Sequence, residues 1–294
     1  MILLNPGSGS GGADDTVSEV ASIAHRAGAN ARIEVIDDPD ALPHAVARAL
    51  ADGVDTVVAG GGDGTVSSIA SLLVDTQARL GVLPLGTLNH FAKDLGLPLD
   101  TETAMAVVLG GHVAQVDVGE VNGRIFLNNS SIGLYPRMVR LRQRVEAHGV
   151  RKWLVATRAL FAVMRHRSDL GVRLTIDGEK VSRRTPLVFI GNNEYRMTGL
   201  DPGTRPSLTG GILSVYVLHA TGWRDLLRAA WHVMKGRVDQ EDTMDVYRLS
   251  EATIELRRPH VEVALDGEVV PLATPLHYRL RQQALRVLVP PPAT

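Results

Sequence analysis

Val54-Asp55-Thr56-Val57-Val58-Ala59-Gly60-Gly61-Gly62-Asp63-Gly64-Thr65-Val66 is the stretch on which the reading of the chain turns. Val54 to Ala59 is short, β-branched and, apart from Asp55 and Thr56, apolar, the pattern of a strand buried on both faces. Three glycines follow, as a backbone requires where it turns tightly and comes close to something. Val66, Ile69, Leu72 and Leu73 then recur at helical spacing. A strand, a glycine turn and a helix N-terminus form an anion site, because free backbone N–H groups and the positive end of the helix dipole both favour phosphate. A structural turn needs the glycines as well, but Asp63 points further. A carboxylate beside a phosphate makes sense with a magnesium ion between them. The stretch is neither a Walker A loop, since GxxxxGK[ST] occurs nowhere, nor the Rossmann GxGxxG.

Working outward, Ile2-Leu3-Leu4 reads as a strand and Asn5 to Gly12 as a small-residue loop. A helix carrying Val17, Val20, Ala21 and Ala24 follows, with Asp14 or Asp15 as its cap. Ala31–Ile36 is a second strand, Leu42–Ala51 a second helix, and Leu80–Pro84 a fourth strand after the Val54 strand. This β-α-β-α-β-α order is that of a parallel sheet with crossover helices. Ligands of such sheets sit beyond the carboxyl ends of the strands, so Asn5–Gly12, Gly60–Thr65 and Leu85–Asn89 are expected to line one crevice. From about Ala114 the pattern becomes short alternating segments bounded by turns, including 115–121, 124–128, 172–176, 186–190, 213–218, 253–256, 261–265, 276–280 and 285–289. The fold class is therefore α/β plus β. A three-layer α/β nucleotide-binding domain over 1–115 precedes a β-sandwich over 116–294, whose last residues could return to the first domain. Two helical insertions interrupt the sandwich, near Arg137–Arg167 and Trp223–Gly236.

With 294 residues, 45% hydrophobic and 21% charged content, the chain has the composition of an ordinary soluble globular protein. A net charge of −1 gives no sign of a nucleic-acid binder. Cysteine is absent, which excludes disulfides and thiolate metal sites. No secretory leader and no bilayer-spanning apolar run are read, so the expected location is cytoplasmic, peripheral at the inner membrane face.

Asn5-Pro6-x-Ser8-Gly9, Gly60-Gly61-Gly62-Asp63-Gly64-Thr65, Gly86-Thr87-Leu88-Asn89-His90-Phe91-Ala92 and Asp266-Gly267-Glu268 occur in that order. With Asp117-Val118-Gly119, Asn128-Asn129-x-Ser131-x-Gly133 and Gly191-Asn192-Asn193 they resemble the diacylglycerol kinase catalytic family, which includes bacterial lipid kinases and the sphingosine and ceramide kinases. GGDGT alone is shared with NAD kinases; GT-x-N-x-FA and the late DGE sharpen the resemblance, which covers almost the whole chain. It implies an ATP- and magnesium-dependent kinase acting on the hydroxyl of a lipid such as diacylglycerol. Nucleotide contacts would fall on Asn5, Gly60, Gly61, Gly62, Asp63, Gly64, Thr65, Val66, Thr87 and Asn89. Asp63 would hold the magnesium of MgATP, and Glu268 looks like the catalytic base. Phosphoryl transfer does need positioning, a cation and a group to take the hydroxyl proton. Asp177-Gly178-Glu179 repeats the tripeptide among basic neighbours and reads as an ordinary solvated hairpin loop.

The sequence departs from that family in three places. His90 stands where an Asp often follows the Asn, and reads as a loop residue. Ile36-Asp37-Asp38 replaces a nucleotide-contacting threonine. A structural magnesium site of some bacterial members, built on Leu-x-x-Asp-Gly-Leu, has Gly210 in the aspartate's place, and a hard cation without its carboxylate binds weakly.

Arg137–Arg167 carries nine Arg or Lys and one acid, Glu146, interleaved with apolar residues. A basic amphipathic stretch of this kind suits either an anionic membrane surface or a solvated helix face. The expected partners are thus a lipid substrate and peripheral anionic membrane, with no nucleic acid, and a homodimer is also admitted. Two other readings stay open: a soluble-metabolite kinase of the NAD-kinase type, and a nucleotide- or lipid-binding regulator without catalysis.

Overall fold

In a computed structural model, the structure describes residues 1–5, 13–146, 170–176, 179–195, 205–218 and 244–291. The chain divides into two compact units, Met1–Val118 with Arg281–Thr294, and Gly119–Leu280.

The first unit opens with β1 (Ile2–Leu4), α1 (Ala13–Arg26), β2 (Ile33–Val35), a 3-10 turn at Pro39–Ala41, α2 (Leu42–Ala51), β3 (Thr56–Gly61), α3 (Asp63–Leu73) and β4 (Arg79–Pro84). α4 (His90–Asp94) and α5 (Thr101–Gly110) then lead into β5 (His112–Val121). The strands run parallel in the order β2-β1-β3-β4. Beyond β4 lies the C-terminal part of β16 (Leu276–Val289), with Arg286 opposite Arg79 and Val287 opposite Leu80. Ile2, Leu4, Val58 and Leu83 project to one face, where Val20, Ile23 and Ala24 of α1 and Ala104 and Met105 of α5 cover them. α2 and α3 pack on each other and α3 on β3 and β4. The result is the expected three-layer α/β arrangement. Each fully buried Val, Leu or Ile in these layers contributes about 1.5–3 kcal/mol relative to exposure.

Two helices of this unit, α4 and α5, are not assigned from the sequence. α5 begins at a capping Asp100, whose side chain accepts the Thr103 N–H at 2.8 Å. Its apolar residues are spread around the axis and leave no clean stripe to read. The sequence also suggests two strands where β16 is one strand of 14 residues. Gln283 interrupts it with φ +50°, and its N–H is satisfied at 2.9 Å by the buried Asp117 carboxylate.

The second unit is a β-sandwich. One sheet is β12 (Met244–Leu249), β11 (Leu213–Leu218), β10 (Leu187–Asn192), β7 (Asn129–Gly133), β14 (His260–Leu265) and β15 (Glu268–Ala273), in that order and antiparallel throughout. The other sets the start of β16 beside β13 (Glu251–Leu256), β8 (Leu170–Ile176) and β9 (Glu179–Thr185), while the end of β5 pairs with β6 (Arg124–Phe126). Val121, Phe126, Ile132, Leu174, Val188, Ile190, Val215 and Ile254 fill the core between the sheets. Tyr278 is buried among them with its hydroxyl 2.9 Å from Ser130 Oγ, and burial pushes its phenol pKa up. β7, β9 and β12 are missing from the sequence reading for a shared reason: none shows clean apolar alternation. β9, Glu-Lys-Val-Ser-Arg-Arg-Thr, lies at a sheet edge and is solvated along most of its length. α6 (Leu134–Glu146) opens the first helical insertion; the rest of that insertion, and the one near Trp223–Gly236, lie outside the described residues.

Candidate functional site

β3 carries its apolar residues straight into the glycines, so Gly60 and Gly61 end the strand and α3 starts already at Asp63. The amides of Asp63, Gly64 and Thr65 form the first helical turn, where no earlier helical carbonyl is available to them. Gly62 sits at the N-cap with extended backbone and no side-chain cap. The loop after β4 packs directly on this turn. A Cβ at Gly86 would lie 2.5 Å from the Gly62 Cα and 2.9 Å from Asn89 Oδ1, so only glycine allows that approach. Asn5, at the end of β1, donates its N–H to the Gly60 carbonyl at 2.9 Å, and Leu85 donates to Gly61 at 3.0 Å. The three strand ends are thereby fastened together; the part of the first loop from 6 to 12 lies outside the described residues.

The expected contacts differ in what they have free. Gly64 is exposed, Asp63 and Thr65 are half-buried, and Thr87 is exposed. Asp63 Oδ1 accepts the Phe91 N–H at 3.3 Å, which ties α3 to the start of α4. Val66 is turned into the core, and its N–H is bonded to the Gly62 carbonyl at 3.1 Å. Asn89 is buried in the left-handed region (φ +51°), and its side-chain amide is spent on its own loop. Its Oδ1 accepts from Gly86 N at 3.1 Å, and its Nδ2 donates to the Gly86 carbonyl at 2.7 Å and the Pro84 carbonyl at 3.2 Å. Asn89 thus shapes the Gly86 loop.

A bound polyphosphate fits these residues: glycine backbone, helix-N-terminal amides and one carboxylate are all present. No group of three or more His, Asp or Glu side chains able to hold a metal occurs among the described residues. One carboxylate plus phosphate oxygens is the usual provision for magnesium. In the segment 207–212, position 210 is a glycine and supplies no carboxylate. A Cβ at Gly210 would meet Asn193 Oδ1 at 2.8 Å, and the Ile212 carbonyl already accepts the Asn193 N–H at 2.9 Å.

Glu268 lies in the second unit. β14 and β15 are joined by Asp266 (φ +47°) and Gly267 (φ +90°), a tight hairpin that places Glu268 as the first residue of β15, opposite Leu265. Its side chain is exposed and has no hydrogen bond or ion pair among the described residues. The Asp of the tripeptide has the opposite fate. Its carboxylate accepts the N–H groups of Leu127 (2.7 Å), Asn128 (2.8 Å) and Asn129 (3.0 Å), and its own N–H returns to the Asn129 carbonyl at 2.9 Å. Asp266 holds the turn and Glu268 is left free.

Behind that loop is a residue the sequence reading passes over. Arg205 is 5% exposed and lies over the Tyr195 ring, 5.7 Å from its centroid. It donates to the Leu127 carbonyl (2.6 Å), the Asn192 carbonyl (3.2 Å) and Asn128 Oδ1 (2.7 Å), while Asn192 Nδ2 also reaches the Leu127 carbonyl at 2.7 Å. The Asn128-Asn129 and Gly191-Asn192-Asn193 motifs therefore build the support of the Asp266 turn. The only hint of Arg205 in the sequence is a lone cation in Pro202-Gly203-Thr204-Arg205-Pro206. Arg205→Leu is expected to lower the unfolding free energy by about 3 kcal/mol, since buried acceptors of a charged donor are orphaned. Urea denaturation measures this; an unchanged midpoint would show that the loop stands without it.

An α/β unit with a glycine turn and Asp63 at a helix N-terminus, followed by a sandwich presenting a free carboxylate at a DGE turn, belongs to a class seen in known proteins. Residues 1–121 match the diacylglycerol kinase catalytic domain, and residues 139–289 the YegS C-terminal NAD kinase beta sandwich-like domain. A "Diacylglycerol kinase" of Mycobacterium tuberculosis is 29% identical over 98% of this chain and 94% of its own length. A Citrobacter koseri protein named "Probable lipid kinase YegS-like" is 27% identical over 99% of this chain and 96% of its own. A crystal structure described as a diacylglycerol kinase from Bacillus anthracis superposes with a TM-score of 0.73 at 25% identity, covering 99% of this chain and 96% of that one. The chain belongs to the diacylglycerol kinase and YegS-like lipid kinase family.

Proposed function

We propose that this protein transfers the γ-phosphate of ATP to the hydroxyl of a lipid of the diacylglycerol type. The observation that carries the reading is the Gly62–Gly86 approach, which leaves the amides at the start of α3 and the Asp63 carboxylate side by side. Those amides would bind phosphate oxygens, with Asn5 and Thr87 at the margins of the same loops. Asp63 would hold the magnesium ion of MgATP. That ion, when bound, neutralises charge on the transferred group. Glu268 takes the proton of the attacking hydroxyl, as a free, accessible carboxylate can. Lipid acyl chains leave no distinctive polar signature, so the lipid is named only by class.

A soluble-metabolite kinase of the NAD-kinase type is the second reading, favoured by the NAD-kinase-like description of the matching sandwich family. The test is ATP-dependent phosphorylation of a total lipid extract, with the product identified by mass, run beside NAD as acceptor. A phosphorylated lipid and unmodified NAD are expected. Phosphorylated NAD with unmodified lipid would replace the proposal, and no transfer to either would favour a regulator without catalysis.

A further inference from the structure

Glu268 is aimed by its backbone alone, since no side chain among the described residues bonds its carboxylate. The hairpin that carries it turns through Asp266 and Gly267, both with positive φ, and of these two only Asp266 has a side chain with which to fasten the turn. That carboxylate is spent on the N–H groups of Leu127, Asn128 and Asn129. Where Glu268 stands therefore depends on where the link between β6 and β7 stands.

The peptide group between Leu127 and Asn128 is gripped at both ends. Its N–H donates to Asp266 Oδ1 at 2.8 Å. Its carbonyl oxygen accepts from Arg205 Nη1 at 2.6 Å and from Asn192 Nδ2 at 2.7 Å. One flat amide thus lies between a carboxylate and a guanidinium. The amide is rigid, so a shift at one end is carried to the other. Hydrogen bonds to charged groups are the short, strong kind, and bonds in series polarise one another where water is excluded. Arg205 Nη2 also donates to Asn128 Oδ1 at 2.7 Å, which fixes the next residue.

Arg205 is itself held in place. It is buried, and it lies over the Tyr195 ring. That ring packs on Gly191, where a Cβ would meet it at 2.6 Å. A planar fork meets acceptors on Leu127, Asn128 and Asn192 together, as a point-like ammonium does not. An arginine needed only for packing has no reason to stand one peptide group away from the hairpin of the candidate base.

We propose that Arg205 is a positioning residue for phosphoryl transfer. Through the Leu127–Asn128 peptide and Asp266 it fixes where the Glu268 carboxylate stands. This rests on the reading of the chain as a kinase with Glu268 as its base.

The test is a double-mutant cycle on ATP-dependent phosphorylation by the full chain, with lipid or NAD as acceptor, whichever the wild type phosphorylates. Arg205→Lys keeps the charge and loses the fork. It is expected to lower kcat by roughly 100-fold, the effect of misplacing a reacting group by ~1 Å. KM for MgATP should stay as in the wild type, because the glycine turn belongs to the other unit. In the Glu268→Gln background the same substitution should lower kcat by less than about twofold, since the group it positions can no longer take a proton. Equal losses in the two backgrounds would overturn the proposal, leaving Arg205 a purely structural residue. So would a raised KM for MgATP with kcat kept. Melting temperatures show whether each variant is folded at the assay temperature. If Arg205→Lys is not, Asn128→Ala takes its place in the cycle. It removes one acceptor of the fork and leaves Arg205, with roughly a 10-fold loss of kcat expected and the same non-additivity with Glu268→Gln. A wild type that transfers phosphate to neither acceptor sinks the kinase reading and this proposal with it. A wild type that transfers phosphate, beside a fully active Arg205→Lys, sinks this proposal alone.

Discussion

Asp63→Ala is expected to reduce lipid phosphorylation by roughly 10³-fold or more, the scale of removing a group that manages charge in the transition state, while leaving the protein folded. The fold survives because Asp63 contributes little to it. Its one described hydrogen bond, to Phe91 N–H, is long at 3.3 Å, and such a bond contributes about 1 kcal/mol. An acidic group in the first turn of α3 adds about 0.3–1 kcal/mol through the helix dipole. Both are small against a typical stability of about 5–15 kcal/mol. Turnover is different, because no cluster of acidic or histidine side chains among the described residues offers the cation a substitute. Thermal melting and kcat on the same preparation separate the two effects. A folded Asp63→Ala protein with ordinary turnover would remove Asp63 from the cation and leave the glycine turn as a structural feature.

Glu268→Gln should lower kcat by roughly 10²–10⁴-fold with MgATP affinity unchanged, the range a positioned general base contributes. Glutamine keeps the size and one acceptor of glutamate but cannot take a proton. The substitution is structurally mild because the side chain is exposed and the turn is held by Asp266, whose three backbone hydrogen bonds remain. Glu179→Gln is the internal control. Glu179 begins β9 opposite Ile176, is exposed, and belongs to the other Asp-Gly-Glu tripeptide; its variant should match wild type. Equal behaviour of the two variants, or a loss of ATP affinity in Glu268→Gln, would move the search for the base to Asp63 or Asp117.

What could be read from the sequence follows the range of the physics involved. The β3–glycine–α3 stretch is legible because each signal is local: apolar continuity, absent side chains, then helical period. The alternation of strands and helices up to β4 is legible for the same reason. The boundaries are less so. β3 and α3 meet two or three residues from where periodicity puts them, since glycine carries no burial signal to mark a strand's end. The sandwich is legible as a class from its short strands and turns. β7, β9 and β12 are lost within it, because polar or partly solvated strands need not alternate.

At the candidate site, Asp63 and Glu268 stand out in the sequence through motif and chemistry. That Asn89 spends its amide on its own loop, that Val66 turns inward, and that Asp266 clamps Leu127–Asn129 could not be read there. These are contacts between residues far apart in the chain, such as the 139-position span from Leu127 to Asp266. Arg205 is the sharpest instance. Its sequence neighbours suggest a surface loop, and only the folded chain surrounds it with Leu127, Asn128 and Asn192 acceptors. The sequence by itself determined the order of elements up to β4, the glycine turn before Asp63 and the two candidate carboxylates, because local periodicity and residue chemistry suffice for those. Which side chains are left free to act was decided by the tertiary structure, because a polar group's availability depends on the partners that distant segments bring to it.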